Sequence, residues 1–204
     1  MMYPTSVGNL ISCICLAMAI ATVAQPVLDT AGRALQPGVD YYIKPAITDN
    51  GGRFTLINRN NSCPFFVGQE NVSGPEGLPV TFAPFAAGAT VVRESRDQMI
   101  TFSASTICVS STAWKVGETD RVTQRRLIVA GAPASEGLPL RSYFMINRVE
   151  PERAGVYSLR WCPTEVCPTC RFSNCGPIGA LVENGKRLVA LDGSVLPVVF
   201  ERRA

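Results

Sequence analysis

The chain has 204 residues, 19 Lys and Arg against 16 Asp and Glu, and no histidine. Its net charge of +3 is scattered, with no basic run longer than Arg125-Arg126 or Arg202-Arg203, which excludes a nucleic-acid footprint. Without histidine there is no triad or imidazole acid–base chemistry and no imidazole metal site, and no nucleophile–base pair, metal cluster or phosphate loop marks an enzyme or a cofactor protein.

No charged side chain precedes Asp29, and Leu10 to Ile20 form an apolar run of the length of a signal-peptide core. Small residues follow at Ala19-Ile20-Ala21 and Thr22-Val23-Ala24, and cleavage is expected after Ala24. The run falls short of the roughly 20 apolar residues that span a bilayer, so no membrane anchor is expected. Residues 1–24 read as a signal peptide and 25–204 as a single domain in the secretory pathway, extracellular or vacuolar.

Two of the eight cysteines, Cys13 and Cys15, fall in that leader. The other six predict three disulfides in an oxidising compartment, with none left over for a covalent dimer, and a monomer is expected. Asn60-Asn61-Ser62 and Asn71-Val72-Ser73 are glycosylation acceptor sequences at Asn60 and Asn71.

From Val27 onward the chain is a series of short runs rich in Val, Ile, Phe, Tyr and Thr, punctuated by Gly, Pro, Asn and Asp. They fall at Tyr41–Lys44, Phe54–Ile57, Phe65–Gln69, Val80–Phe82, Met99–Ala104, Ala113–Val116, Leu127–Val129 and Tyr143–Val149. The last four are Val156–Trp161, Ile178–Glu183, Arg187–Leu191 and Val198–Glu201. No segment after the leader sustains a helical i, i+3, i+4, i+7 pattern over ten residues. About twelve strands are expected, in an all-β barrel or sandwich, divisible into three four-strand units without a visible sequence repeat.

Val27-x-Asp29-x-x-Gly32-x-x-Leu35-x5-Tyr41-x-Ile43 resembles the N-terminal signature of the plant Kunitz, or STI-like, protease inhibitors, with Ala31 where a polar residue is usual. The similarity continues through Cys63-Pro64-Phe65-Phe66-Val67-x-Gln69, Gly77-Leu78-Pro79-Val80-Thr81-Phe82 and Ser111-Thr112-x-Trp114. It ends with Tyr157-x-Leu159-x-Trp161-Cys162-Pro163 and Arg187-Leu188-x-x-Leu191, so it covers essentially all of 25–204. The resemblance implies a β-trefoil, a six-stranded barrel capped by three hairpins.

Cys162-x4-Cys167-x2-Cys170-x4-Cys175 has spacing that would also suit a four-thiolate zinc site, but secretion argues for oxidation. Spacing alone allows about fifteen pairings of six cysteines. The miraculin-like branch of the family shares the nested pattern, which implies Cys162–Cys175 outside Cys167–Cys170, with Cys63–Cys108 as the third bridge.

Inhibitors of this family resemble substrates: a rigid convex loop enters the protease cleft and one anchor side chain fills the primary pocket. The matching loop here is Phe82–Val91, with Phe85, Ala86, Ala87, Gly88, Ala89 and Thr90 at the protease-facing positions. Counting back from Phe102 against the family's trypsin inhibitors places Gly88 at the primary position and the scissile bond at Gly88–Ala89. A trypsin pocket holds a buried Asp that wants Lys or Arg, so tight trypsin inhibition is not expected. Where family inhibitors brace the loop with an Asn side chain, this chain has Pro37, which has neither a side-chain donor nor an N–H. Arg93 and Arg96 match a strand-entry segment and are read as scaffold. On sequence, Gly88→Arg is a surface change expected to stay within about 0.5 kcal/mol of wild-type stability.

The expected function is a secreted endopeptidase inhibitor acting on a serine protease other than trypsin, with an elastase-, subtilisin- or chymotrypsin-like partner. The last of these would apply if Phe85 were the anchor. One alternative is an α-amylase inhibitor, since Cys63–Gln69 and Gly77–Phe82 resemble amylase/subtilisin-inhibiting members. The other is a non-inhibitory miraculin-like storage or defence protein; without histidine, acid-switched receptor activity is not expected of it.

Overall fold

The computed structural model describes residues 24–47, 49–59, 61, 63–131, 140–150, 154–172 and 175–204. The expected leader as far as residue 23, and the acceptor Asn60, lie outside the described residues.

The twelve apolar runs form twelve strands, with boundaries displaced by up to three residues. They are β1 (Tyr41–Pro45), β2 (Phe54–Ile57), β3 (Phe66–Gln69), β4 (Val80–Pro84), β5 (Gln98–Phe102) and β6 (Trp114–Thr119). The second half holds β7 (Arg126–Ala130), β8 (Met145–Arg148), β9 (Tyr157–Trp161), β10 (Gly176–Glu183), β11 (Lys186–Leu191) and β12 (Val198–Arg202). A 3-10 turn at Leu140–Ser142 precedes β8.

Antiparallel pairing joins β1 to β12 and β4, β4 to β5, β8 to β9, and β9 to β12. A bridge between Gln98 and Phe144 closes the ring between the β5 and β8 segments. The first and fourth strands of each four-strand unit thus make a six-stranded barrel. The second and third strands make three hairpins, β2–β3, β6–β7 and β10–β11. These pair with one another through β3–β7, β3–β11 and β7–β11, so each hairpin covers an edge of the next. The fold is the β-trefoil.

Period-two alternation fills the barrel, because successive side chains on a strand point to opposite faces. Tyr41 and Ile43 of β1, Ile100 and Phe102 of β5, and Val198 and Phe200 of β12 point inward and are buried. Phe82 meets Phe200 edge-on at 5.5 Å, and Trp114 stacks on Phe54 at 5.7 Å where barrel meets cap. Burying a side chain of this size contributes about 1.5–3 kcal/mol.

The signature polar residues hold the N-terminal segment. The Asp29 carboxylate accepts the Ala31 and Arg33 N–H groups at 2.9 Å and so builds its own turn. The Tyr157 hydroxyl accepts the Leu28 N–H at 2.9 Å, and the Tyr41 hydroxyl accepts that of Gln36 at 3.0 Å.

One guanidinium ties the cap together. Arg59, just after β2, donates to Asp120 in the β6–β7 turn at 2.5 Å and to Glu183 at the end of β10 at 2.6 Å. Each unit therefore contributes one partner to a nearly buried, charge-assisted node. Bonds to Glu183 and Asp120 raise the Arg59 pKa, and Arg59 in turn holds both carboxyls below their ordinary range.

The six cysteines form Cys63–Cys108, Cys162–Cys175 and Cys167–Cys170, with Cα separations of 5.2, 4.9 and 5.3 Å. All four sulfurs of the zinc-like spacing are taken up in bridges, which leaves no thiolate for a metal.

Candidate functional site

β4 runs from the first hairpin back along the barrel, so the loop that follows it emerges at the end away from the cap. β4 and β5 pair as far as Pro84 opposite Gln98, and the Phe85 N–H adds one more bond to the Asp97 carbonyl at 2.8 Å. Phe85 therefore belongs to the root of the loop. Its ring meets Tyr143 edge-on at 5.5 Å and is partly covered by it.

The apex is Ala86 to Thr90. The Ala89 N–H bonds the Ala86 carbonyl at 3.3 Å, and Gly88 has φ +72°. That combination is a type II turn with Gly88 at its third position, where a left-handed backbone is required. A Cβ built at Gly88 would meet nothing within 4 Å, so space is not the constraint; the backbone is. The expectation that Gly88→Arg is neutral is corrected accordingly: any L side chain here pays for the left-handed conformation, of order 1 kcal/mol. Ala86, Ala87, Gly88 and Thr90 are exposed and Ala89 is half-buried.

The return limb is held by main chain. Val92 donates to the Leu35 carbonyl and accepts from the Val27 N–H, at 2.9 and 3.0 Å. The Glu94 N–H reaches the Gln25 carbonyl at 2.8 Å, and that of Ser95 reaches the Ile146 carbonyl at 2.9 Å. Both loop arginines are engaged. Arg93 donates through Nη1 to the Ala24 carbonyl at 2.7 Å, and Arg96 pairs with Glu165 at 2.5 Å. Glu94 pairs with Arg148 of β8 at 2.7 Å, which raises the Arg148 pKa.

Asp97 ends the loop and is fully buried. Its Oδ2 accepts the N–H groups of Glu165 and Val166 at 2.7 and 3.0 Å, and its own N–H donates to Glu165 Oε2 at 2.7 Å. Burial pushes the Asp97 carboxyl up, while the Val166 and Glu165 N–H groups pull against that shift. An open cavity of about 320 Å³ separates Ala86, Ala89 and Val91 of the loop from Asp97 and Glu165 behind it.

Pro37 is half-buried in a second type II turn, Gln36–Val39, with Gly38 at φ +72° and the Val39 N–H on the Gln36 carbonyl at 3.4 Å. The Gly38 N–H reaches the Phe82 carbonyl at 3.1 Å. This turn thus bonds β4 below the loop through its backbone, and Pro37 has no side-chain donor to send to the apex.

The family model for the legume Kunitz proteins, described as trypsin and protease inhibitor, matches residues 27–202. The chain belongs to this Kunitz family. Kunitz type trypsin inhibitor 106 of Medicago truncatula is 46% identical over 93% of this chain and 92% of its own length. Among solved structures, a Kunitz-type cysteine protease inhibitor from potato superposes with TM-score 0.74 at 30% identity, over 89% of this chain and 99% of that one. The double-headed arrowhead protease inhibitor A, solved in complex with two trypsins, superposes with TM-score 0.69 at 26% identity over 88% and 100%. These relatives are named as inhibitors, and by family this chain is a Kunitz-type protease inhibitor.

Within that Kunitz frame the structure gathers Phe85 to Thr90 at one end of the barrel and sets Pro37 beside β4. Asn71 is exposed between β3 and β4, its amide donating to the Gly185 carbonyl of the β10–β11 turn at 2.8 Å. Asp97 and Glu165 escaped the sequence reading, since Arg96-Asp97-Gln98 looks like solvated surface. A carboxylate at the start of an apolar strand was the only local signal.

Proposed function

We propose that the protein is secreted and inhibits a serine protease with a shallow primary pocket, of elastase or subtilisin type, by lodging the 85–90 loop in its cleft. One observation carries this reading: the exposed apex offers only small uncharged side chains, while Arg93 lies in the return limb bridged to Pro26 and Arg96 is committed to Glu165. A trypsin pocket would keep its buried Asp unpaired against such a loop, at a cost of several kcal/mol. A chymotrypsin-type pocket would need Phe85, which is exposed but sits at the loop's root, where its ring meets Tyr143 edge-on. The name of the Medicago relative describes that protein's target; the apex residues here argue for another.

Titration of the purified protein against trypsin, chymotrypsin, elastase, subtilisin and α-amylase tests this. Stoichiometric inhibition of elastase or subtilisin with trypsin unaffected is the expected result. Tight trypsin inhibition overturns the pocket argument, and inhibition of α-amylase alone moves the function to another face of the trefoil. No inhibition, with rapid cleavage between residues 85 and 90, makes the protein a non-inhibitory member. Processing is checked separately: the secreted form should begin at Gln25 and carry a glycan on Asn71.

A further inference from the structure

Substrate-like inhibition needs a loop that stays in one shape while a protease tests it, because ordering a floppy loop costs affinity. In this chain the apex stands over an open cavity lined on the loop side by Ala86, Ala89 and Val91. Pro37, at the bracing position the family resemblance implies, sends no side-chain bond to it. Its shape must come through its two limbs. The return limb passes from Val92 to Asp97, and Asp97 is where it meets the first limb.

Asp97 makes four bonds at that junction. Its carbonyl takes the Phe85 N–H, its N–H goes to Glu165, and its Oδ2 takes the N–H groups of Glu165 and Val166. The partner turn is itself rigid. The Thr164 N–H bonds the Cys162 carbonyl at 2.8 Å, the Cys167 N–H bonds that of Pro163 at 3.3 Å, and the Cys162–Cys175 and Cys167–Cys170 bridges flank the turn. Glu165 uses its second oxygen on Arg96, so both faces of the junction are closed by one side chain. Among the described residues the other Asp97 oxygen, Oδ1, is buried without a hydrogen-bond partner, so the cost of burying the carboxylate is offset chiefly through the turn that Oδ2 holds.

We propose that Asp97 is the positioning residue of the protease-facing loop, fixing its root to the disulfide-flanked turn 163–166 and replacing the Asn-type brace absent at Pro37. The inference rests on the reading of 85–90 as the protease-facing segment, but its test does not require a known target.

Amide hydrogen exchange is measured across the whole chain for wild type, Asp97→Ala, Asp97→Asn and Glu165→Ala. Asp97→Ala should speed exchange over residues 85–96 at least tenfold and leave the β10–β11 amides unchanged. Asp97→Asn keeps an acceptor for the two N–H groups and should restore most of the protection. Glu165→Ala, which spares the barrel core, should loosen the same segment and decides the matter if Asp97→Ala does not fold. Subtilisin cleavage between residues 85 and 90 should accelerate in the same order. Unchanged exchange over 85–96 in Glu165→Ala and Asp97→Ala overturns the proposal. So does a uniform rise across barrel and cap, which would mark Asp97 as an ordinary core residue. A wild type that inhibits nothing in the protease panel removes the functional reading and leaves this comparison to be judged on exchange alone.

Discussion

At the cap, Arg59 draws the β6–β7 and β10–β11 turns onto the end of β2 with its own side chain, and the three units close on one charge. At the other end, the loop from Phe85 to Asp97 is held by main-chain groups of Gln25, Val27, Leu35 and Ile146 and, through the Asp97 and Glu165 carboxylates, by the turn at 163–166. Each end thus has its own logic. The cap spends its polar groups on itself and presents neutralised turns. The loop takes all its support from behind, so the outward faces of Ala86 to Thr90 stay uncommitted. A surface meant for a partner must be rigid without using the side chains that the partner will meet, and bracing through the backbone and through inward side chains such as Asp97 allows that.

The largest effect should come from the long bridge. Removing it with Cys63→Ser and Cys108→Ser frees a 45-residue closure, worth about 4 kcal/mol in the chain-entropy model. Thermal unfolding should then shift down by roughly 8–16 °C for a chain of this size. An unchanged Tm would show that this bridge is not formed in the folded protein.

Arg59→Ala comes next, at about 2–3 kcal/mol, because it strands two carboxylates at partly exposed turns. It also carries a pH signature. Asp120 and Glu183 both have folded pKa values held below their unfolded ones. Their contribution is therefore complete above the ordinary carboxylate range, near pH 4, and is lost as pH falls through the lowered values. Wild-type Tm should drop steeply on acidification below about pH 4, and Arg59→Ala should flatten that limb. Hydrogen exchange sharpens the contrast between the ends: cap amides should loosen in Arg59→Ala while residues 85–96 keep their protection. Equal loosening at both ends would break it.

How much of this was legible depends on the sequence distance of the partners. The strands were readable because alternation is local, and Asp29 was readable because the N–H groups it accepts lie two and four residues away. The loop was placed by the family resemblance, counted from Phe102, and the apolar runs of β4 and β5 on either side mark its ends. Arg59 was opaque, since its partners lie 61 and 124 residues away and its surroundings read as an Asn-rich turn. Asp97 was opaque for the same reason, with its turn 68 residues on. The shape of the apex was also hidden. Small residues announce a loop, but whether Gly88 is there for smallness or for a left-handed backbone is decided only by φ.

That last distinction gives the smallest predicted effect. If Gly88 is needed for its backbone, Gly88→Ala should lower stability by about 1 kcal/mol, though its Cβ would touch nothing. Ala87→Gly, at the preceding turn position, should cost less, because φ is negative there and the change only adds freedom to the unfolded chain. Urea unfolding of the two variants separates these cases, with equal m-values expected because neither alters the surface buried. The cap should not sense either change. If Gly88→Ala is as stable as wild type, the turn does not hold its type II form in solution, and the apex is freer than its well-braced root suggests.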